Sequence, residues 1–106
     1  MPSFYPPANV REEARRALDW RRTYKRGGTS VGLATARLLA SGKPVSLKKA
    51  RHIARYFPRH AVDARAKGYR SGERGFPSAG RIAWGLWGGT PGWVWSRKLV
   101  DTYRER

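Results

Sequence analysis

His60 and Asp63 stand three positions apart, beside Arg59 and just after Pro58. On a helical turn that spacing puts an imidazole and a carboxylate on one face, where the acid can orient a general base. No serine nucleophile and no second carboxylate stand near them, and His52 and His60 are the only histidines. Two imidazoles without carboxylate partners do not fill a zinc site. The pair therefore reads as a hydrogen bond that pins the chain after Pro58. No catalytic, cofactor-binding or metal-binding residue is assigned, and the chain reads as a non-enzyme.

The stronger chemical signal is charge. Lys and Arg total 23 against 7 Asp and Glu, a net charge of +16. Self-repulsion at that level opposes folding unless an anion relieves it. Solubility alone needs only a few net charges. Arginine outnumbers lysine, and its planar fork binds phosphate bidentately and stacks on flat rings. The residues expected to grip phosphates are Arg11, Arg15 and Arg22 on a first helix. Lys48, Lys49, Arg51, Arg55 and Arg59 are expected to do so on and just after a third. A helix with one apolar face and one Arg/Lys face docks a core and a nucleic-acid backbone together. The common alternative for such a face is plain solvation.

Two further clusters have a chemical and a structural reading. Gly27-Gly28-Thr29-Ser30 before a helix offers backbone N–H groups to a phosphate, but it lacks the length and the lysine of a P-loop. Helix punctuation explains it equally well. Trp84, Trp87, Trp93 and Trp95 offer a stacking platform for bases, or the core of a small domain poor in Leu and Ile. Spacing buries Trp87 and Trp95. Trp84 and Trp93 fall off the main stripes and are expected exposed, as partner-binding residues.

The elements that must position these groups are helices. Asn9, with Glu12 three residues on, reads as a capped start for a helix to about Lys25, stopped by Gly27-Gly28. Thr29 or Ser30 caps a second helix, Val31 to Ala40, whose small residues suit a central position. Gly42 ends it. Ser46 caps a third from Leu47 to about Phe57, with Leu47, Ala50, Ile53, Ala54 and Phe57 as its core stripe. Pro58 bars its continuation. With the second helix it makes a loose helix-turn-helix-like pair. A short turn follows from Arg59 to Lys67, then a Gly-rich loop over 68–77. Ser78 caps a fourth helix. Thr90-Pro91 starts a fifth, with Trp95, Leu99 and Tyr103 along one side. The fold class is all-α: a compact bundle of four to five short helices with one long Gly-rich loop and no convincing strand.

At 106 residues the chain has the size of one domain. Residues 1–8 read as an extended, Pro-rich arm and 9–106 as a single helical domain. Without cysteine it has no disulfide and no thiol chemistry. Its start does not read as a signal peptide, and no apolar run is long enough to span a bilayer.

Three blocks carry a resemblance. They are Gly27-Gly28-Thr29-Ser30-Val31-Gly32, Tyr56-Phe57-Pro58-Arg59-His60 with Val62-Asp63, and Gly75-Phe76-Pro77-Ser78-Ala79-Gly80-Arg81-Ile82-Ala83-Trp84 with Leu86-Trp87-Gly88-Gly89. From about Val10 to Leu99 the sequence resembles a small domain family of tailed bacteriophages, found alone or attached to head and DNA-packaging proteins. The resemblance implies a setting, the host cytoplasm or the virion, and no settled activity. Ala61 and Thr90 stand where that family tends to carry acids, which weakens any enzymatic reading.

Together these features lead to a non-catalytic phage protein that binds nucleic acid, DNA ahead of RNA, without a cofactor and without a membrane. The alternatives are a head-assembly component contacting capsid proteins and packaged DNA, and an inhibitor of a host enzyme that handles nucleic acid.

Overall fold

A computed structural model describes residues 3–104. Ser3–Phe4 (β1) pairs antiparallel with Val45–Ser46 (β2), Ser3 opposite Ser46 and Phe4 opposite Val45. The helices are Ala8–Tyr24 (α1), Ser30–Ser41 (α2), Leu47–His60 (α3), Ala79–Leu86 (α4) and Gly89–Thr102 (α5), with a 3₁₀ turn over Ala61–Arg65. The fold is an all-α bundle of five helices, as the sequence predicts, with one two-residue ladder that its patterning did not announce. Met1 and Pro2 of the expected arm lie outside the described residues.

Where the caps are hydroxyls, the sequence places them well. Thr29, Ser46 and Ser78 accept from the backbone N–H of Gly32, Lys49 and Arg81, satisfying donors that a helix start leaves free. Asn9 is not a cap. Helix α1 begins two residues earlier, with Pro7 at the cap position, and the Pro7 carbonyl takes the N–H of Val10 and Arg11, each at 3.0 Å. The arm ahead of it is extended but docked: Pro6 is buried and β1 lies on β2.

The end of α1 also departs from expectation. Lys25, at φ 54°, adopts the left-handed turn and sends its N–H to Arg21 O at 2.9 Å. Gly27 and Gly28 serve close approach instead. A methyl on Gly27 would come 2.7 Å from Ala79 O, and one on Gly28 would strike Leu86.

Helix α3 runs one turn past its expected end, through Pro58 to His60. The proline removes a single backbone bond and its ring lies on the exposed side. His60 Nδ1 donates to Tyr56 O at 2.8 Å and helps close that last turn.

The core gathers Val10, Ala14 and Ala17 of α1, Ala36 and Leu39 of α2, Ile53, Tyr56 and Phe57 of α3, and Ile82, Trp84, Leu86 and Trp87 of the α4 segment. Helix α1, rather than α2, is central: α2, α4 and α5 all pack on it. Its alanines allow that approach. The helix-turn-helix-like pair does not form, because α2 lies along α1 whereas α3 lies along α5.

The face that α5 turns inward is Gly89, Gly92 and Ser96, not the line through Trp95, Leu99 and Tyr103. A methyl on Gly92 would stand 2.8 Å from Trp87 O. Backbone proximity decides that interface more than side-chain bulk does.

Candidate nucleic-acid interface

The expected phosphate-binding cations fall into two groups. On α1, Arg15 pairs with Glu12, Arg16 with Glu13, and Arg22 with Asp19 at 3.3 Å. Arg11 donates to Pro6 O at 2.7 Å. The sequence alternates acids and bases at i, i+3 along this helix, so its charge is largely answered in place. On α3, Lys48, Lys49, Arg51, Arg55 and Arg59 have no acidic partner among the described residues. At 100° per residue, Lys48, Arg51, Arg55 and Arg59 make one continuous stripe opposite Ala50, Ile53 and Phe57.

Lys49 leaves that stripe. Its ammonium donates to Thr35 Oγ1 at 2.8 Å and sits 5.3 Å from the centre of the Trp87 ring. Burial lowers its pKa below the ordinary lysine value. It is a structural cation more than a phosphate grip.

Beside the stripe, His52, Tyr56 and His60 follow one another at i, i+4, i+8 along the edge of α3. His60 stacks on Tyr56 at 4.1 Å, and Tyr56 stacks on Trp87 at 4.8 Å with 9° between the rings. His52 meets Trp87 edge-on at 5.0 Å. These rings, with Gly28, Thr29, Val31, Ala83 and Arg59, line a cleft of about 620 Å³ between α2, α3 and α4. Among the described residues no carboxylate lines it.

Burial shifts two groups of the cleft, and nearby cations add to the shift of one of them. The His52 pKa is lowered, first by burial and then by Lys49, Arg55 and Arg59. Burial raises the Tyr56 phenol strongly, with Asp63 and Tyr69 adding to it. The Tyr56 hydroxyl, like Arg21 Nε and Arg81 Nη1, is buried with no partner among the described residues.

The expected His60–Asp63 hydrogen bond is not made. His60 gives its Nδ1 proton to Tyr56 O, while Asp63 lies against Gly80, where a methyl would come within 2.8 Å of its Cβ. The two histidines are separated by the Tyr56 and Trp87 rings, so they do not converge on one reacting atom. No group of three His, Asp or Glu able to hold a metal occurs among the described residues.

Trp84 is a correction. It is 6% exposed, wedged edge-on against Phe57 at 4.8 Å, with its indole N–H donated to Thr90 Oγ1 at 3.2 Å. Helix α5 covers the side of α4 that the stripe analysis left open, so Trp84 cannot meet a partner. Trp93 is half-buried, stacked on Phe57 at 5.5 Å, and it edges a groove on α5. Trp95, expected buried, is likewise only half-buried.

Sequence reasoning missed Tyr56, His52 and Trp87 as cleft residues. The i, i+4, i+8 spacing of three rings on a basic helix was the available signal. No helix of the described residues is long and apolar enough to cross a membrane. The chain matches no family model, no curated protein and no solved structure.

Proposed function

We propose that this chain is a non-catalytic, phage-type protein that binds nucleic acid, DNA ahead of RNA, through the basic stripe of α3. One observation carries the reading. Three of the five α1 arginines, Arg15, Arg16 and Arg22, are answered by Glu12, Glu13 and Asp19, whereas Lys48, Arg51, Arg55 and Arg59 stand together on one helix face without an acidic partner among the described residues. Unanswered cations in a row release condensed counterions when they meet phosphates, which supplies sequence-independent affinity.

The test is a salt titration of duplex DNA binding. Log affinity should fall linearly with log salt, and charge reversal of Lys48, Arg51 and Arg55 should lower it on every sequence alike. Affinity indifferent to salt would overturn the reading.

A second reading, a head-assembly component that also touches packaged DNA, has its own support. Trp93 and Val94, the latter 64% exposed, line an α5 groove of about 480 Å³ with Arg97, Lys98, Asp101 and Thr102. An exposed apolar strip rimmed by charge suits a protein partner. Presence of the chain in purified virions is the observation that separates the two.

A further inference from the structure

A duplex held by its phosphates needs only the exposed stripe of α3. It has no use for the recess beside that stripe. We infer that the cleft between α2, α3 and α4 takes one unpaired nucleotide, its base on the His60–Tyr56–Trp87 stack and its phosphate between Arg59 and the first turn of α2. The inference rests on the nucleic-acid reading only for the source of that nucleotide, a strand rather than the free pool.

The aromatic wall comes first. His60 has Tyr56 on one ring face at 4.1 Å and no second ring against it among the described residues. A base laid on the free face extends a stack already continued by Trp87. Such stacking is sequence-tolerant, since every base has a π-face. A paired base cannot take the place, because its faces are covered by its neighbours in the duplex.

The polar groups fit the rest of a nucleotide. The carbonyl of Tyr56 can only accept, so His60 carries a proton on Nδ1 and keeps Nε2 for a ligand. The Lys49 ammonium lies 3.4 Å from His52 Nδ1. With that nitrogen accepting, the proton of neutral His52 is on Nε2, a donor. In α2 the Gly32 N–H goes to Thr29 Oγ1 and the Leu33 N–H to Thr29 O. The amides of Ser30 and Val31 have no partner among the described residues at the positive end of the helix, and α2 has no acid in its first turn. Arg59, also without an acid, adds a bidentate donor.

Two observations besides the helix end point to a ligand. The Tyr56–Trp87 stack ends at the cleft on a His60 ring face that no other ring covers among the described residues. The cleft volume, about 620 Å³, lies in the usual range for a small-molecule site.

The experiment is calorimetric titration of the full chain at low salt with three probes, single-stranded oligo-dA, the duplex of equal length and dAMP, and with deoxyadenosine and inorganic phosphate as two separate controls. The expected result is single-strand affinity about tenfold above that of the duplex. dAMP should compete for the preference, and neither control should do so alone. Val31→Trp fills the mouth of the cleft from an exposed position and should abolish the preference while leaving duplex binding intact. His60→Gln should do the same. Circular dichroism confirms that each variant is folded.

Equal affinity for single strand and duplex, unchanged in Val31→Trp, would overturn the inference and leave the stripe intact. Competition by phosphate as effective as by dAMP would also overturn it, reducing the cleft to an anion site. Binding of dAMP with no binding of any strand supports the cleft, assigns it to the free nucleotide, and sinks the nucleic-acid reading instead.

Discussion

The ammonium of Lys49 stands 5.3 Å from the centre of the Trp87 indole and reaches Thr35 Oγ1 at 2.8 Å. Few other contacts join α2 to α3, so this cation braces two helices that otherwise pack on different neighbours. Lys49→Met should therefore lower stability by about 1–2 kcal/mol, from one lost hydrogen bond and one cation–π contact. Its duplex affinity should change little. Lys48→Ala, one residue away and exposed, should do the opposite. Chemical denaturation and DNA titration of the two variants check this; identical behaviour would refute the division of labour.

The α1 arginines should matter less than their number suggests. Arg15→Ala and Arg22→Ala each free an acid that was paired. The expected loss of DNA affinity is smaller than for Arg51→Ala or Arg55→Ala, each of which should also reduce the salt slope by about one unit. A larger effect from α1 would move the interface to that helix.

Stability should depend on pH through His52. Its folded-state pKa lies below the ordinary value of 6.5. Between that lowered pKa and 6.5 the unfolded chain binds more protons than the folded one. Stability therefore falls as pH drops below 6.5 and returns as pH rises through it. His52→Gln should flatten this part of the profile. A polyanion such as heparin should reduce only the smaller part that Lys49, Arg55 and Arg59 add, leaving the larger part due to burial. Denaturation midpoints at about pH 5 and pH 7.5 decide the matter.

Trp84 and Trp93 should behave differently on truncation. Trp84→Ala empties a buried site and removes the bond to Thr90; the expected cost is about 3–5 kcal/mol. Trp93→Ala, half-exposed beside the α5 groove, should cost clearly less. Thermal melts of both variants test the buried place of Trp84.

Gly92 should tolerate nothing larger. Its position gives a methyl 2.8 Å from Trp87 O, so Gly92→Ala must push α5 off the core. A loss of about 1–3 kcal/mol is expected. Unchanged melting would show that α5 shifts freely.

What was legible in the sequence was what hydroxyl caps and helical periods encode. Ser46 and Ser78 fixed two helix starts to the residue, Thr29 or Ser30 placed a third to within one, and the α3 apolar stripe named most of its buried side. Helix ends failed where backbone alone decides. A proline carbonyl did the work expected of Asn9, and Lys25 took the left-handed turn ahead of two glycines. Pro58 cost one bond in a turn that stacking holds. The interface face of α5 was hidden because its signal is the lack of side chains at Gly89, Gly92 and Ser96. The cleft was hidden because its wall joins α3 to Trp87, and no local period relates those elements. The ion pairs of α1 were readable from Glu12, Glu13 and Asp19, but total charge drew attention away from them.

That pairing has a consequence for how the molecule approaches a polyanion. With three acids among the arginines of α1 and none on α3, the charge of the two helices is unequal and the pair carries a permanent electric asymmetry. In the field of a nucleic acid it turns its bare side forward before any contact forms, so a larger share of encounters arrives correctly oriented. Adding acids to α3 and bases to α1 at constant net charge would keep the total attraction while losing this alignment, and the association rate would fall.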